Sequence, residues 1–164
     1  MKKIHILKII VFILALCGCR TQSDYVTIFP VSPGVFQYYL APTEWQTDGL
    51  EVYVDITYRN IPGNSAICNI SLINSGRQPR SVSSAFFTAG GENYPLEDIA
   101  RLFSELESSK LRITSTIPGA RLEEMFAAAA ITLTVILDGV EYVCVPPKLF
   151  LDYKTQVLND ITTP

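Results

Sequence analysis

Two pairs of neighbouring carboxylates, Glu97-Asp98 and Glu123-Glu124, are the side chains of this sequence best suited to acid–base chemistry. A glycoside-cleaving site needs two carboxyl groups facing one cleft. Both pairs instead fall in the first turns of expected helices, where negative charge meets the positive end of the helix dipole. No Asp-x-Asp calcium loop accompanies them. Gly90-Gly91 lacks the spacing and the lysine of a phosphate loop and reads as a turn. Asn69-Ile70-Ser71 matches a glycosylation acceptor, but its alternating neighbours place it on a strand. The one histidine, His5, stands near the chain start.

That start has its own logic. Met1-Lys2-Lys3 and Lys8 precede an unbroken apolar run from Ile9 to Leu16, the charged and apolar regions of an export signal. A membrane-spanning helix needs about 20 apolar residues, and the run to Cys19 is about half that. The run ends in Leu16-Cys17-Gly18-Cys19, which resembles the lipobox of bacterial lipoproteins. Leu16 matches the apolar position, Gly18 the small one and Cys19 the modified cysteine, while Cys17 departs from the usual Ala, Ser or Thr. The resemblance covers these first residues alone. It implies a signal over 1–18, removed on export. It also implies a diacylglyceryl thioether on Cys19, with fatty-acyl chains of the palmitate type, as a stable anchor needs two chains or more. A tether over 19–24 and one β-rich domain over 25–164 follow. The five residues Arg20 to Asp24 reach roughly 17 Å at most, so the domain is expected close to a membrane. Arg20 is not the Asp that resembles an inner-membrane retention signal, which leans toward the outer membrane in a diderm host.

Removing the signal changes the charge and the chemistry. The chain carries 13 basic and 16 acidic residues. Without Lys2, Lys3 and Lys8, ten basic residues face sixteen acidic ones. Such a domain lacks the clustered cations that nucleic-acid phosphates need. His5 leaves with the signal, which excludes Ser-His and Cys-His nucleophile pairs and every histidine-containing metal site. Cys68 and Cys144 remain. In an oxidising compartment they either pair as a disulfide or stay as two buried thiols.

The body reads as β. Leu50 to Tyr58, Ala66 to Leu72, Ser81 to Ala89 and Leu111 to Ile117 are strand-like, three of them with strict apolar–polar alternation. Ile131 to Leu137 and Val140 to Val145 flank Asp138-Gly139, the mark of a tight hairpin with positive φ at both central residues. Three helices are expected: Leu96 to Leu106 opened by Pro95, Arg121 to Ala129, and Lys148 to Leu158. The expected fold is an antiparallel β-sandwich, immunoglobulin-like topology being one option, with two or three short helices.

The aromatic segment Val35 to Leu40, followed by Trp45, has two readings. Alternate packing makes part of it core, whereas Tyr and Trp also anchor binding surfaces. The functional expectation is a non-enzymatic envelope lipoprotein without cofactor or metal, binding a protein partner through Tyr38, Tyr39 and Trp45. A carrier of a small apolar ligand is the alternative, and a carboxylate-dependent hydrolase stands last. Lipidation is directly testable. Metabolic labelling with a fatty-acid analogue should mark the wild type, and Cys19→Ser should abolish the label and accumulate precursor. Loss of label in Cys17→Ser but not in Cys19→Ser would move the site.

Overall fold

The computed structural model describes residues 26–75, 81–105 and 109–162; the signal, Cys19 and the tether lie outside them. Ten strands run in the order β1 (Val26–Ser32), β2 (Val35–Trp45), β3 (Glu51–Arg59), β4 (Ser65–Ile73), β5 (Val82–Ala89), β6 (Glu92–Pro95), β7 (Glu97–Glu105), β8 (Lys110–Pro118), β9 (Ile131–Leu137) and β10 (Val140–Cys144). Helix α1 (Gly119–Ala127) lies between β8 and β9, and α2 (Lys148–Thr162) follows β10. The strands make two antiparallel sheets, β1-β2-β3-β4-β8-β7 and β10-β9-β5-β6. This is the mainly β, sandwich-like fold that the alternation predicts. The strand order is its own: β1 to β4 form one continuous meander within the larger sheet, unlike the seven-strand immunoglobulin arrangement.

Local chemistry accounts for the turns. Asp138 and Gly139 both take positive φ, 51° and 81°, the geometry that lets β10 fold back on β9. The corner where the two sheets meet is tied by backbone: Gln46, just past β2, exchanges two 2.8 Å hydrogen bonds with Val145, just past β10.

The core lies between the sheets and under the helices. Inward-facing Val52, Val54, Ile56 and Tyr58 of β3 alternate with outward-facing positions, and Ala66, Cys68, Ile70 and Leu72 of β4 do the same. Its centre is aromatic. Trp45 of β2 packs edge-on to Phe150 of α2 at 4.8 Å and against Phe87 of β5 at 5.7 Å. Phe150 meets Phe126 of α1 at 6.1 Å. Four rings thus join both sheets and both helices. The buried indole N–H donates to Thr43 Oγ1 at 3.2 Å, so the tryptophan strands no donor.

Helix α1 is held from outside. Its N-cap Pro118 makes no side-chain cap, and no glycine follows its C-terminus. The Gly119 N–H donates to the Asn64 carbonyl at 2.9 Å. A Cβ on Gly119 would stand 2.5 Å from that oxygen, so the approach requires glycine. At the other end the buried Lys154 ammonium of α2 donates to the carbonyls of Phe126 and Ala128 at 2.8 and 2.6 Å. It supplies the partners that a helix terminus leaves unmet and a cation at the negative end of the dipole. Burial pushes the Lys154 pKa down.

One expected helix is a strand. Leu96, Ile99, Phe103 and Leu106 have helical spacing, yet the segment up to Glu105 is β7, paired with β8. Residue 106 lies outside the described residues. The edge of β8 offers a full row of backbone partners, and that tertiary pairing overrides local propensity. The conflict remains visible. The pairing register shifts twice, between Glu97 and Ala100 and between Arg101 and Phe103, and Asp98 takes φ 53°. Glu97-Asp98 therefore sits on an irregular edge strand and not in a helical first turn.

The aromatic junction predicts a specific cost. Trp45→Ala should destabilise the fold by about 3–5 kcal/mol, the usual range for a buried aromatic, read from urea denaturation. A loss under about 1 kcal/mol would show that the junction does not hold the layers together.

Candidate functional site

The smaller sheet and both helices share one core with the inner face of the larger sheet, and among the described residues its other face has no second layer. Pairing registers lay out that face in rows across the strands. One row runs Thr27, Tyr39, Thr57, Ile67, Thr116 and Glu97. Another runs Glu44, Tyr53, Ser71, Arg112 and Phe103. Between them lie Asp55, Asn69, Thr114 and Ala100.

Asp55 is the anomaly of this face. It points away from the apolar core, yet it is only 2 % exposed. Strand β2 bulges opposite it. Leu40 pairs with Ile56 and Thr43 with Val54, which leaves Ala41 and Pro42 together against Asp55. Such a bulge sharpens the local twist and re-aims side chains. A buried carboxylate needs partners, and Asp55 has one on each oxygen. Arg112 Nη2 donates to Oδ2 at 2.7 Å, and Asn69 Nδ2 donates to Oδ1 at 2.8 Å. Arg112 Nη1 also donates to Ser71 Oγ at 2.6 Å. The Tyr39 phenol has its pKa raised by burial and by the Asp55 charge, with Arg112 partly opposing.

This arrangement is chemically quiet. Carboxylate and guanidinium are bonded to each other and to neutral neighbours, which suits a rigid neutral platform better than a proton-transfer site. Half-buried Tyr39 and Tyr53 and exposed Ile67 and Phe103 surround the cluster. The Lys110 ammonium lies 5.7 Å from the centre of the Phe103 ring. Among the described residues no group of three or more His, Cys, Asp or Glu could hold a metal ion.

The residues singled out from sequence are not brought together. Tyr38 is 3 % exposed and Trp45 1 % exposed, so both are core and not a binding surface; Tyr39 alone reaches the outer face. The reason is geometric. Alternation separates Tyr38 from Tyr39, and the bulge at Ala41 and Pro42 shifts the phase so that Trp45 turns inward with Tyr38 and Leu40. Tyr38 stacks on Tyr58 at 6.5 Å. Tyr58 donates to Glu123 Oε1 at 2.8 Å, and its pKa is driven up by burial and by that carboxylate.

The carboxylates are likewise dispersed. Glu123 and Glu124 lie in the second turn of α1, not the first, and Glu124 pairs with Arg121 at 3.0 Å. Asp98 Oδ2 accepts from Thr116 at 3.3 Å.

Cys68 and Cys144 are buried free thiols, so the disulfide reading is not realised. Cys68 aligns with Ile56 and through it with Leu40, whereas Cys144 adjoins the Gln46–Val145 corner. They are separated by two strand spacings, about 10 Å, and by several residues along β2 at roughly 3.3 Å each. A bridge needs Cα atoms within about 7 Å. Burial raises the pKa of both thiols, that of Cys144 to about 11, which keeps them protonated and inert.

The described clefts lie on the surface. One of about 370 Å³ is lined by Tyr58, Asn60, Ile61, Gly119, Glu123 and Ile161 among others. The space between the sheets is filled by Trp45, Phe87, Phe126 and Phe150. Comparison with protein-family models, with characterised proteins and with solved structures finds no match for this chain.

The cluster of Asp55, Arg112, Asn69 and Ser71 is not visible in the sequence, where Asn69 and Ser71 stand out only as an acceptor pattern. Each is an ordinary polar residue on one of three strands, and no linear spacing links position 112 to 55.

The cluster makes a sharp prediction. Arg112→Met strands a buried carboxylate and should cost about 3–5 kcal/mol, whereas adding Asp55→Val should restore most of it. Denaturant titration of the two single variants and the double variant measures the coupling. Additive losses would show that the pair is not a unit.

Proposed function

We propose that this chain is a lipid-anchored, non-enzymatic envelope protein that works by binding another protein on the outer face of its larger sheet. One observation carries the assignment of the face. Among the described residues no second layer covers the outer face of the six-stranded sheet, and the centre of that face is already desolvated and neutralised through Asp55 and Arg112. Tyr39, Ile67 and Phe103 supply apolar contact around it. Interfaces draw their energy from a few such anchors around a core depleted of free charge.

The membrane reading is supported by the Leu16-Cys17-Gly18-Cys19 motif, with Arg20 favouring the outer membrane in a diderm host. No helix among the described residues is long and apolar enough to cross a membrane. The non-enzymatic reading is supported by the absence of histidine after His5 and by the engagement of the carboxylates of Asp55, Asp98, Glu123 and Glu124 in hydrogen bonds or ion pairs. A carrier of an apolar ligand is disfavoured by the aromatic filling between the sheets.

The test replaces Tyr39 and Ile67 separately by alanine in the exported protein. In-cell crosslinking identifies the partner, and its affinity for each variant is then measured beside thermal stability. A central anchor truncated to alanine costs at least about 2 kcal/mol of binding, roughly a thirtyfold loss of affinity. Unfolding midpoints should hold within a few degrees. Undiminished affinity in both variants would remove this face from the interface.

A further inference from the structure

The β1–β2 hairpin stands apart from the rest of the surface. No charged residue occurs between Asp24 and Glu44, so the whole hairpin is neutral. Its end is apolar on both sides. Phe29 and Val31 of β1 are 48 % and 49 % exposed, and Phe36 of β2 is 39 % exposed. Phe29 pairs with Gln37 on the outer side of the sheet, whereas Phe36 pairs with Pro30 on the inner side. Exposed Ile61, in the turn after β3, follows Asn60, which is bonded to this hairpin.

The backbone of this tip is also unusually self-contained. Pro30 and Pro33 have no N–H to leave bare. Asn60 secures three more backbone groups. Its Oδ1 accepts from the Phe36 N–H at 2.7 Å, its Nδ2 donates to the Gly34 carbonyl at 3.3 Å, and its own N–H donates to the Phe36 carbonyl at 3.2 Å. Polar backbone is what makes a loop costly to take out of water, and here one residue removes part of that cost.

From this juxtaposition we infer that the β1–β2 tip, with Phe29, Val31 and Phe36, enters the interfacial layer of a phospholipid bilayer. A protein partner docks on one side of a hairpin, whereas this tip exposes aromatic rings on both, which suits a fluid that surrounds it. The absence of charge admits a zwitterionic surface, and exposed Arg59, bonded to Gln37 at 2.7 Å, offers a cation beside the tip to a lipid phosphate. The inference rests on the anchored reading above, because the anchor holds the tip at the bilayer. Seven residues from Cys19 to Val26 reach at most about 25 Å, and β1 is roughly 20 Å long, so both can meet one membrane.

The test uses the full lipidated chain reconstituted in phosphatidylcholine vesicles, with or without bromine on the acyl chains. Bromine quenches tryptophan only at short range. Phe29→Trp and Phe36→Trp report the tip, and Val145→Trp reports the corner at Gln46, ten residues along β2 and about 33 Å away. Buried Trp45 provides the folded reference in every variant, and circular dichroism confirms that each is intact. Brominated vesicles should cut the added emission at least twofold at positions 29 and 36 and leave position 145 unchanged. Protein that floats with the vesicles but shows equal emission in both lipids overturns tip insertion while the anchor stands. Equal quenching at position 145 overturns it as well. Protein that does not float with the vesicles overturns the anchored reading and this inference together.

Discussion

The meeting of four aromatic rings around Trp45 is the constraint on which the rest of this molecule depends. Trp45 comes from the larger sheet, Phe87 from the smaller one, and Phe150 and Phe126 from the two helices. The ring is in place only because β2 bulges at Ala41 and Pro42, which turns Trp45 inward. The same bulge stands opposite Asp55 on the other face. One backbone irregularity therefore helps to set both the hydrophobic junction and the polar platform behind it.

The two faces of the larger sheet solve different problems. The inner face follows simple alternation, and its apolar residues gain roughly 25 cal/mol for each Å² removed from water. The outer face buries a charge without a second layer, which requires the complete hydrogen bonding seen at Asp55. Such a pair adds little net stability compared with apolar residues of the same volume, although breaking it is expensive. Such a cluster contributes little to folding yet tolerates no loss of one partner.

Helix α1 shows how far structure here depends on distant contacts. Its own sequence supplies one C-terminal backbone bond, from the Ala128 N–H to the Met125 carbonyl at 3.3 Å, and no side-chain cap at the N-terminus. Asn64, in the turn before β4, and Lys154, in α2, supply further partners at the two ends. The apolar stripe of Leu122, Met125 and Phe126 makes a helix possible, and its partners decide where it begins and ends.

Much of the architecture was legible in the sequence because period-two burial and turn chemistry are local signals. Strands β3 and β4 of the meander, the Asp138-Gly139 hairpin and the two real helices announce themselves in this way, whereas β1 does not. The failures share one physical cause. Helical spacing in Leu96 to Leu106 lost to the open edge of β8, which no local pattern reveals. Tyr38 faces the core by alternation, and Trp45 joined it because the bulge at Ala41 and Pro42 changed the phase of the strand. Asp55, Asn69, Ser71 and Arg112 form a cluster only because β3, β4 and β8 lie side by side, and strand order is a property of the assembled sheet. The sequence by itself determined the neutral hairpin, the strand faces and the lack of histidine chemistry after Cys19. Tertiary structure alone decided which side chains meet, because long-range pairing, and not local preference, sets the register between strands.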